Sequence, residues 1–373
     1  MTSFLTAIFT LLGIAIGSFL NVCIDRLPRK RLLYIDNGEG ERLDIEVIEG
    51  VFDEDPIEMF KGKTVYVTGK IKKNISTGNL QINVTGESQI IVQEETIAPE
   101  KEKTNEELTP ISWKEASNRI GAIVTICGRI TGGIKIRQSL AYPPSHCDGC
   151  QQRLALKDLV PILSYLWLRG RCRYCRARIP RRVLLVEVAS GLIFFLAFWR
   201  FGLSAQFAIT AFWSCVFLII IFIDWEYKLI LNRLTYPAAV LALAVLAVDS
   251  LLPEAGILGN LRFVPQPSIL SGIIAGAIGF VFFLIVFLIN PRGIGMGDIK
   301  LAGLIGLVAG FPLGIVALFI GIFIGGLVAI VILALRIKGR KDVISYGTFL
   351  AIGPIITLLW GNEIFHWYQG LFK

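Results

Sequence analysis

Long stretches without a single charge decide most of what this chain can become. Residues 205–223 and 268–290 contain no Asp, Glu, Lys or Arg. About 18 or more consecutive apolar residues match the ~30 Å hydrocarbon core of a bilayer. Several windows reach that length, and spans are expected near 3–24, 183–201, 205–223, 234–252, 268–290, 298–311, 312–336 and 346–361. The 373 residues are 54% hydrophobic, with a mean hydropathy of +0.65, too apolar for an ordinary soluble domain. The expected fold class is a polytopic α-helical membrane protein of about eight spans. The first window has the length of a secretory signal, but Met1-Thr2-Ser3 carries no basic residue. No convincing small-residue cleavage site precedes Asn21 and Cys23, so this window reads as a retained span.

The net charge of +8 could mean nucleic acid, but the cations gather beside the spans. Arg26-Leu27-Pro28-Arg29-Lys30-Arg31 follows the first, Arg181-Arg182 precedes the second, and the basic segment 336–341 precedes the last. Loops 202–204 and 253–267 are nearly free of Lys and Arg. With eight spans, every basic cluster falls in the cytoplasm and both termini lie outside, as the positive-inside rule requires. Phe311-Pro312 reads either as an outside turn between two spans or as a kink in one long helix.

Three regions follow: a first span at 1–24, a cytoplasmic region at 25–182 and a multi-span domain at 183–373. Within the second, 32–140 is polar and strand-like. Residues 63–71 and 80–84 alternate with the period of a strand. Val65–Ile71 also echoes Val124–Ile130, each bending at a Gly followed by a basic residue. That pattern suits a small inserted β domain of OB type. Tyr66 stands almost alone as an aromatic, so a nucleic-acid stacking platform is not expected. A packing or docking domain is the better reading. The charged stretch Glu94–Glu107 reads as a linker.

Residues 141–182 hold two C-x-x-C knuckles, Cys147–Cys150 and Cys172–Cys175, with 21 residues between them. This is close to the spacing of a tetrathiolate zinc site, closed and therefore structural. Gly149 eases the first turn, and Arg171, Arg173, Arg176 and Arg178 are expected to hold the thiolates ionised. A redox dithiol pair is the competing reading. Cys23, Cys127 and Cys215 read as ordinary buried residues.

Two aspartates stand at the cytoplasmic ends of apolar windows. Asp224 follows Val216–Ile223, and Asp298 closes Gly295-Met296-Gly297-Asp298. Carboxylates are costly in a membrane, and two at one face point to a paired site. Two carboxylates sharing a low-dielectric site cannot easily both ionise, so one can take a proton from water while the other donates. Gly295 and Gly297 are expected to take positive φ and admit a substrate backbone. Lys300 either tunes the pair or extends to the interface. Asp298 also fits a helix N-cap, and Asp224 a polar helix end with Trp225 and Tyr227 as interface anchors. Glu187, at the cytoplasmic start of the second window, is expected to pair with Arg181, Arg182 or Arg26, and Asp25 with Arg26.

Taken in order, Gly17–Pro28, Ser145–Cys150, Asp158–Ser164, Arg169–Cys175, Glu187, Asp224 and Gly295–Leu301 resemble the bacterial type IV prepilin peptidases. The resemblance covers about 1–30 and 141–361. It implies a bifunctional enzyme of the cytoplasmic membrane. A GxGD-type aspartic protease, with Asp224 and Asp298 catalytic, would cut the basic leader from prepilins or pseudopilins. The segment with four cysteines would then methylate the new N-terminus from S-adenosylmethionine, and Glu187 is a candidate for that cofactor or its chemistry. Three departures stand out. Ile230-Leu231-Asn232 replaces a Pro-Asp, Ser345-Tyr346-Gly347-Thr348-Phe349-Leu350 replaces Pro-Phe-Gly-Pro-Phe-Leu, and the β-like insert is additional. Two other readings compete. A transporter would carry its charges near mid-helix, and a non-enzymatic zinc-bearing scaffold would leave the Gly-x-Gly-Asp loop without a role.

Overall fold

The structure is a computed structural model that describes residues 2–28, 30–36, 42–48, 64–73, 80–84, 90–92, 123–136, 145, 147, 150, 152–251, 268–289, 294–335 and 345–371. The expected linker at Glu94–Glu107, the loop 253–267, the basic segment 336–341 and Gly149 lie outside these residues. The chain forms two compact units. One comprises Met1–Asp25, Leu156–Arg171 and Arg178–Lys373; the other comprises Arg26–Ala155 and Cys172–Ala177.

The first unit is helical. Its elements are α1 (Thr2–Arg26), the short α2 (Leu163–Trp167), α3 (Arg181–Phe201), α4 (Ala205–Tyr227), α5 (Asn232–Leu251), α6 (Ser268–Ile289), α7 (Met296–Ala309), α8 (Leu313–Ala334), α9 (Tyr346–Leu350) and α10 (Ile352–Gly370). Among the described residues, seven segments are long and apolar enough to cross a bilayer: α1, α3, α4, α5, α6, α8 and the continuous pair α9–α10.

The eighth expected span, 298–311, is different. It is α7, a helix of 14 residues, which rises only ~21 Å. The expectation of about eight spans becomes seven full-length spans and one short helix. The cause is local. Gly295 caps its start, and its far end turns at Gly310 (φ +70°) before Pro312. Phe311-Pro312 therefore marks a turn between α7 and α8, not a kink in one helix.

The short helix is locked in place by close backbone contact. A Cβ on Gly279 of α6 would lie 2.8 Å from the Ala302 carbonyl oxygen, and one on Gly276 would lie 3.0 Å from Leu307. One on Gly314 of α8 would lie 3.0 Å from the Gly306 Cα. Small residues of this kind let helices approach where lipid supplies no hydrophobic drive. The pairing of 276 with 307 and 279 with 302 makes α7 antiparallel to α6. Leu301, Ala302, Leu304 and Ile305 are buried.

At the opposite side of this unit, α1 packs on α3. Ser190 Oγ donates to the Gly13 carbonyl at 2.8 Å, and Phe9 stacks on Phe198 with ring centroids 4.6 Å apart. Arg182 joins three elements, pairing with Asp25 of α1 at 2.5 Å and with Glu226 of α4 at 3.0 Å. Asp25 was expected to pair with Arg26. The helical turn instead carries it toward α3, where Arg182 meets it.

In the second unit, among the described residues, six strands form one sheet: β1 (Lys30–Asp36), β2 (Arg42–Ile48), β3 (Thr64–Lys73), β4 (Leu80–Val84), β5 (Ile90–Val92) and β6 (Ile123–Ile136). The order is β4-β2-β1-β6-β3-β5, and a further β4–β3 pairing closes five of the strands into a ring. All pairs are antiparallel except β2–β4. The two echoing segments are partners: Tyr66 faces Cys127 and Gly69 faces Val124. Strand β3 pairs with β6 up to Lys70 and with β4 from Ile71, so it changes neighbours just after Gly69. Ile45 and Val67 are fully buried.

Candidate active site and metal centre

Helix α4 is apolar on all sides and buried without a break from Val216 to Asp224. Its last turn therefore carries Asp224 inside the protein, where it is 4% exposed. The helix stops because Lys228 turns left-handed (φ 53°), its N–H donating to the Asp224 carbonyl at 2.8 Å. On the side chain, Asp224 Oδ2 accepts two hydrogen bonds from one residue of α9. The Thr348 N–H donates at 2.5 Å and the Thr348 hydroxyl at 2.8 Å.

Asp298 is 8% exposed at the start of α7. It was expected to serve as an N-cap, but Gly295 holds that place and Asp298 is the third residue of the helix. Its Oδ2 reaches back to accept the Gly295 N–H at 3.1 Å. This satisfies one of the donors that every helix start leaves open. Neither Gly295 nor Gly297 adopts the positive φ expected of it; Gly295 sits at φ −82°. Gly297 is required by crowding, since a Cβ there would lie 2.9 Å from Ile230 Cβ.

The two carboxylates meet across Gly347. A Cβ on this residue would stand 3.0 Å from Asp298 Oδ1 and 3.2 Å from Asp224 Oδ2. The two carboxylates thus converge on the Gly347 α-carbon, and with Ile230 Cδ1 2.8 Å from the same point a methyl there would be crowded by all three. Three elements far apart in sequence build it: the end of α4, the start of α7 and the start of α9. Neither Gly347 nor Thr348 was among the expected site residues. The signal was present, because both belong to the segment 345–350 that departs from the family signature.

Lys300 does not join this pair. Its Nζ donates to Asn232 Oδ1 at 2.9 Å and lies 5.4 Å from the centroid of the Tyr236 ring, tying α7 to α5. Lys300→Met is expected to cost at most about 1 kcal/mol of stability for this exposed contact. Leader cleavage should stay within about threefold of wild type. A loss as large as that of an aspartate variant would bring Lys300 into the chemistry.

Glu187 is 4% exposed. Its Oε2 accepts the Ile162 N–H at 2.8 Å, and Ser18 of α1 also bonds to it. Ile162, at φ 58°, immediately precedes α2, so the carboxylate caps that short helix. The helix geometry turns Glu187 toward α1 and α2, while Arg182 engages Asp25 and Glu226.

The four knuckle cysteines converge. Their Sγ atoms all lie within 4.8 Å of one another, Cys147 and Cys175 at 3.7 Å. A tetrahedral zinc with Zn–S of ~2.3 Å sets its sulfurs roughly 3.8 Å apart, so the donor set fits such an ion. Each knuckle is braced by backbone bonds, Cys147 N–H to Gln152 O at 3.0 Å and Cys172 N–H to Ala177 O at 2.8 Å. The Cys172 thiol is pulled down to about 7. Burial opposes this, and the N–H groups of Cys175 and Tyr174 and the neighbouring thiols outweigh it. Of the other cysteines, Cys23 is buried and Cys215 half-buried.

The comparisons with known proteins agree with this geometry. The family described as "Bacterial Peptidase A24 N-terminal domain" matches residues 11–201, and the "Type IV leader peptidase family" matches residues 211–330. A Pseudomonas putida protein named "Prepilin leader peptidase/N-methyltransferase" is 31% identical over 231 residues, 61% of this chain and 76% of its own length. A Bacillus subtilis protein of the same name is 30% identical over 236 residues, 63% of this chain and 89% of its own. No solved structure matches at a significant level. With the N-terminal and peptidase regions both matched, in order, across the helices that carry the paired carboxylates and the four cysteines, the chain belongs to the type IV prepilin leader peptidase/N-methyltransferase family.

Proposed function

We propose that this multi-pass protein of the bacterial inner membrane cleaves the leader from type IV prepilins and then methylates the new N-terminus. Asp224 and Asp298 are the cleaving dyad. The observation that carries the reading is their meeting across Gly347, two buried carboxylates converging on a residue that has no side chain. One carboxylate takes a proton from a water held there, and the other donates to the scissile carbonyl oxygen as it gains charge. A prepilin, itself an apolar helix behind a basic leader, would lie among these helices with its cut site at their cytoplasmic ends.

The antiparallel return of α7 beside α6 supports counting the short helix as a crossing. Both termini then lie outside, and both aspartates face the cytoplasm. Co-expression with a prepilin, followed by mass spectrometry, tests the whole reading. Removal of the leader with a further ~14 Da on the new N-terminus is expected. A substrate left uncut by folded wild-type protein would sink it.

For methylation we assign residues 141–182 to the transferase segment and 183–373 to the peptidase. S-adenosylmethionine, when bound, supplies the methyl group. The residues at the α1–α3 interface suit such a polar ligand. Asn21 Oδ1 is buried without a hydrogen-bond partner, and Glu187 has acceptor capacity beyond its two bonds. The four cysteines hold a structural zinc. The purified protein is expected to carry about one zinc per chain, lost in the double variant Cys147→Ser/Cys172→Ser. Metal retained by that variant would reject the site.

The insert reads as an OB-type barrel. Its ring β6-β1-β2-β4-β3, with one parallel pair at β2–β4, supports an OB order entered one strand late, the long β6 taking the place of a first strand. A docking role for it follows from its position as an addition to the family.

A further inference from the structure

The paired carboxylates differ in what holds them. Asp224 Oδ2 receives two donors, the Thr348 N–H at 2.5 Å and its hydroxyl at 2.8 Å. Asp298 Oδ2 receives the Gly295 N–H at 3.1 Å. A backbone N–H can only donate, so Asp224 Oδ2 is an acceptor and not the oxygen that carries a shared proton. The Thr348 hydroxyl has one hydrogen. Its distance to Asp224 is much shorter than the 3.5 Å to the Ile221 carbonyl, so the hydrogen goes to the carboxylate. Hydrogen bonds to an ionised acceptor are about twice as strong as neutral ones, so two short bonds to one oxygen favour negative charge there. The charged groups facing Asp224 are Asp298 of α7 and Lys228 just past α4.

We infer that Thr348 is a positioning residue that fixes Asp224 as the carboxylate taking the proton from water, leaving Asp298 as the proton donor to the scissile carbonyl. The inference rests on the dyad reading above. It concerns a position where the family signature has a proline and this chain has Thr348. Proline carries neither the N–H nor the hydroxyl.

The test is steady-state cleavage of a prepilin by full-length protein in detergent or proteoliposomes, comparing Thr348→Val, Thr348→Ser and Asp224→Asn. Valine keeps the shape and the N–H and removes the hydroxyl. It is expected to lower kcat by about 10- to 100-fold, the loss for one hydrogen bond to a charged group, with KM unchanged. Serine keeps both donors and should stay within about threefold of wild type. Methyl transfer to a pre-cleaved substrate should be unaffected in all three.

Wild-type kcat in Thr348→Val beside an inactive Asp224→Asn would overturn the role of Thr348 and spare the dyad. Cleavage by Asp224→Asn would overturn the dyad itself and this inference with it. Equal losses in the Val and Ser variants, or a parallel loss of methyl transfer, would assign Thr348 to packing and overturn the inference.

Discussion

Asp224→Asn and Asp298→Asn are each expected to reduce leader cleavage by at least ~10³-fold, within the range a positioned acid or base supplies. The reason is geometric as well as chemical. Both side chains are buried and face one space, and an amide cannot exchange the proton that each step needs. The substitution is nearly isosteric, so the helix ends should survive. Through its carbonyl oxygen, an amide at position 298 can still accept the Gly295 N–H, and an amide at position 224 the Thr348 donors. Monodisperse protein in detergent with wild-type zinc content would confirm an intact fold. The readout is the fraction of prepilin processed, measured by mass. Turnover within tenfold of wild type in either variant would remove that aspartate from the chemistry.

The second large effect is predicted at Gly347. An alanine there places its methyl 3.0 Å from Asp298 Oδ1, 3.2 Å from Asp224 Oδ2 and 2.8 Å from Ile230 Cδ1. The methyl would push the two carboxylates apart from their present positions. Displacement of reacting groups by about 1 Å costs on the order of 10²-fold in rate, and Gly347→Ala should lose at least that much. Gly295→Ala is the matched control. Its Cβ would lie 3.6 Å from Asp298 Oδ2, an ordinary contact, at a φ of −82° that alanine adopts freely. It should cleave within about threefold of wild type. Equal loss in both variants would mean that loop flexibility, not space between the carboxylates, is what glycine provides. Full activity in Gly347→Ala would show that the reaction takes place elsewhere.

How much of this could be read from residues alone differs from element to element. The apolar windows located the long helices to within about four residues, because in lipid a helix is the one open-ended structure that satisfies its own backbone. The last is the exception, running on past the expected end at 361 to Gly370. The window 298–311 is realised as α7, a helix of the expected length displaced by two residues and too short for a full-length span. Its apolar composition also reflects burial between α6 and α8. Cysteine spacing brought four sulfurs together correctly, since a C-x-x-C turn delivers two ligands whatever surrounds it. Charge counting found Asp25, Arg182 and Glu187, but not that Arg182 bridges Asp25 and Glu226 or that Glu187 accepts the Ile162 N–H. Partner choice depends on which way each helix face points, and that angle is set by the packing of α1 on α3.

By itself, the sequence determined the membrane-embedded helices, the tetrathiolate cluster, the strand pattern of the insert and the two aspartates with the family they belong to. Each is a local property, carried by periodicity, spacing or a short motif. Only the tertiary structure decided that Gly347 is the floor between the carboxylates and that Thr348 holds one of them. The same is true of Lys300, which bonds to Asn232, and of Glu187, which caps α2. These depend on α4, α7 and α9 converging from positions 224, 298 and 347, and no local preference of the chain encodes such a meeting. It is fixed by how closely glycine-lined helices can pack.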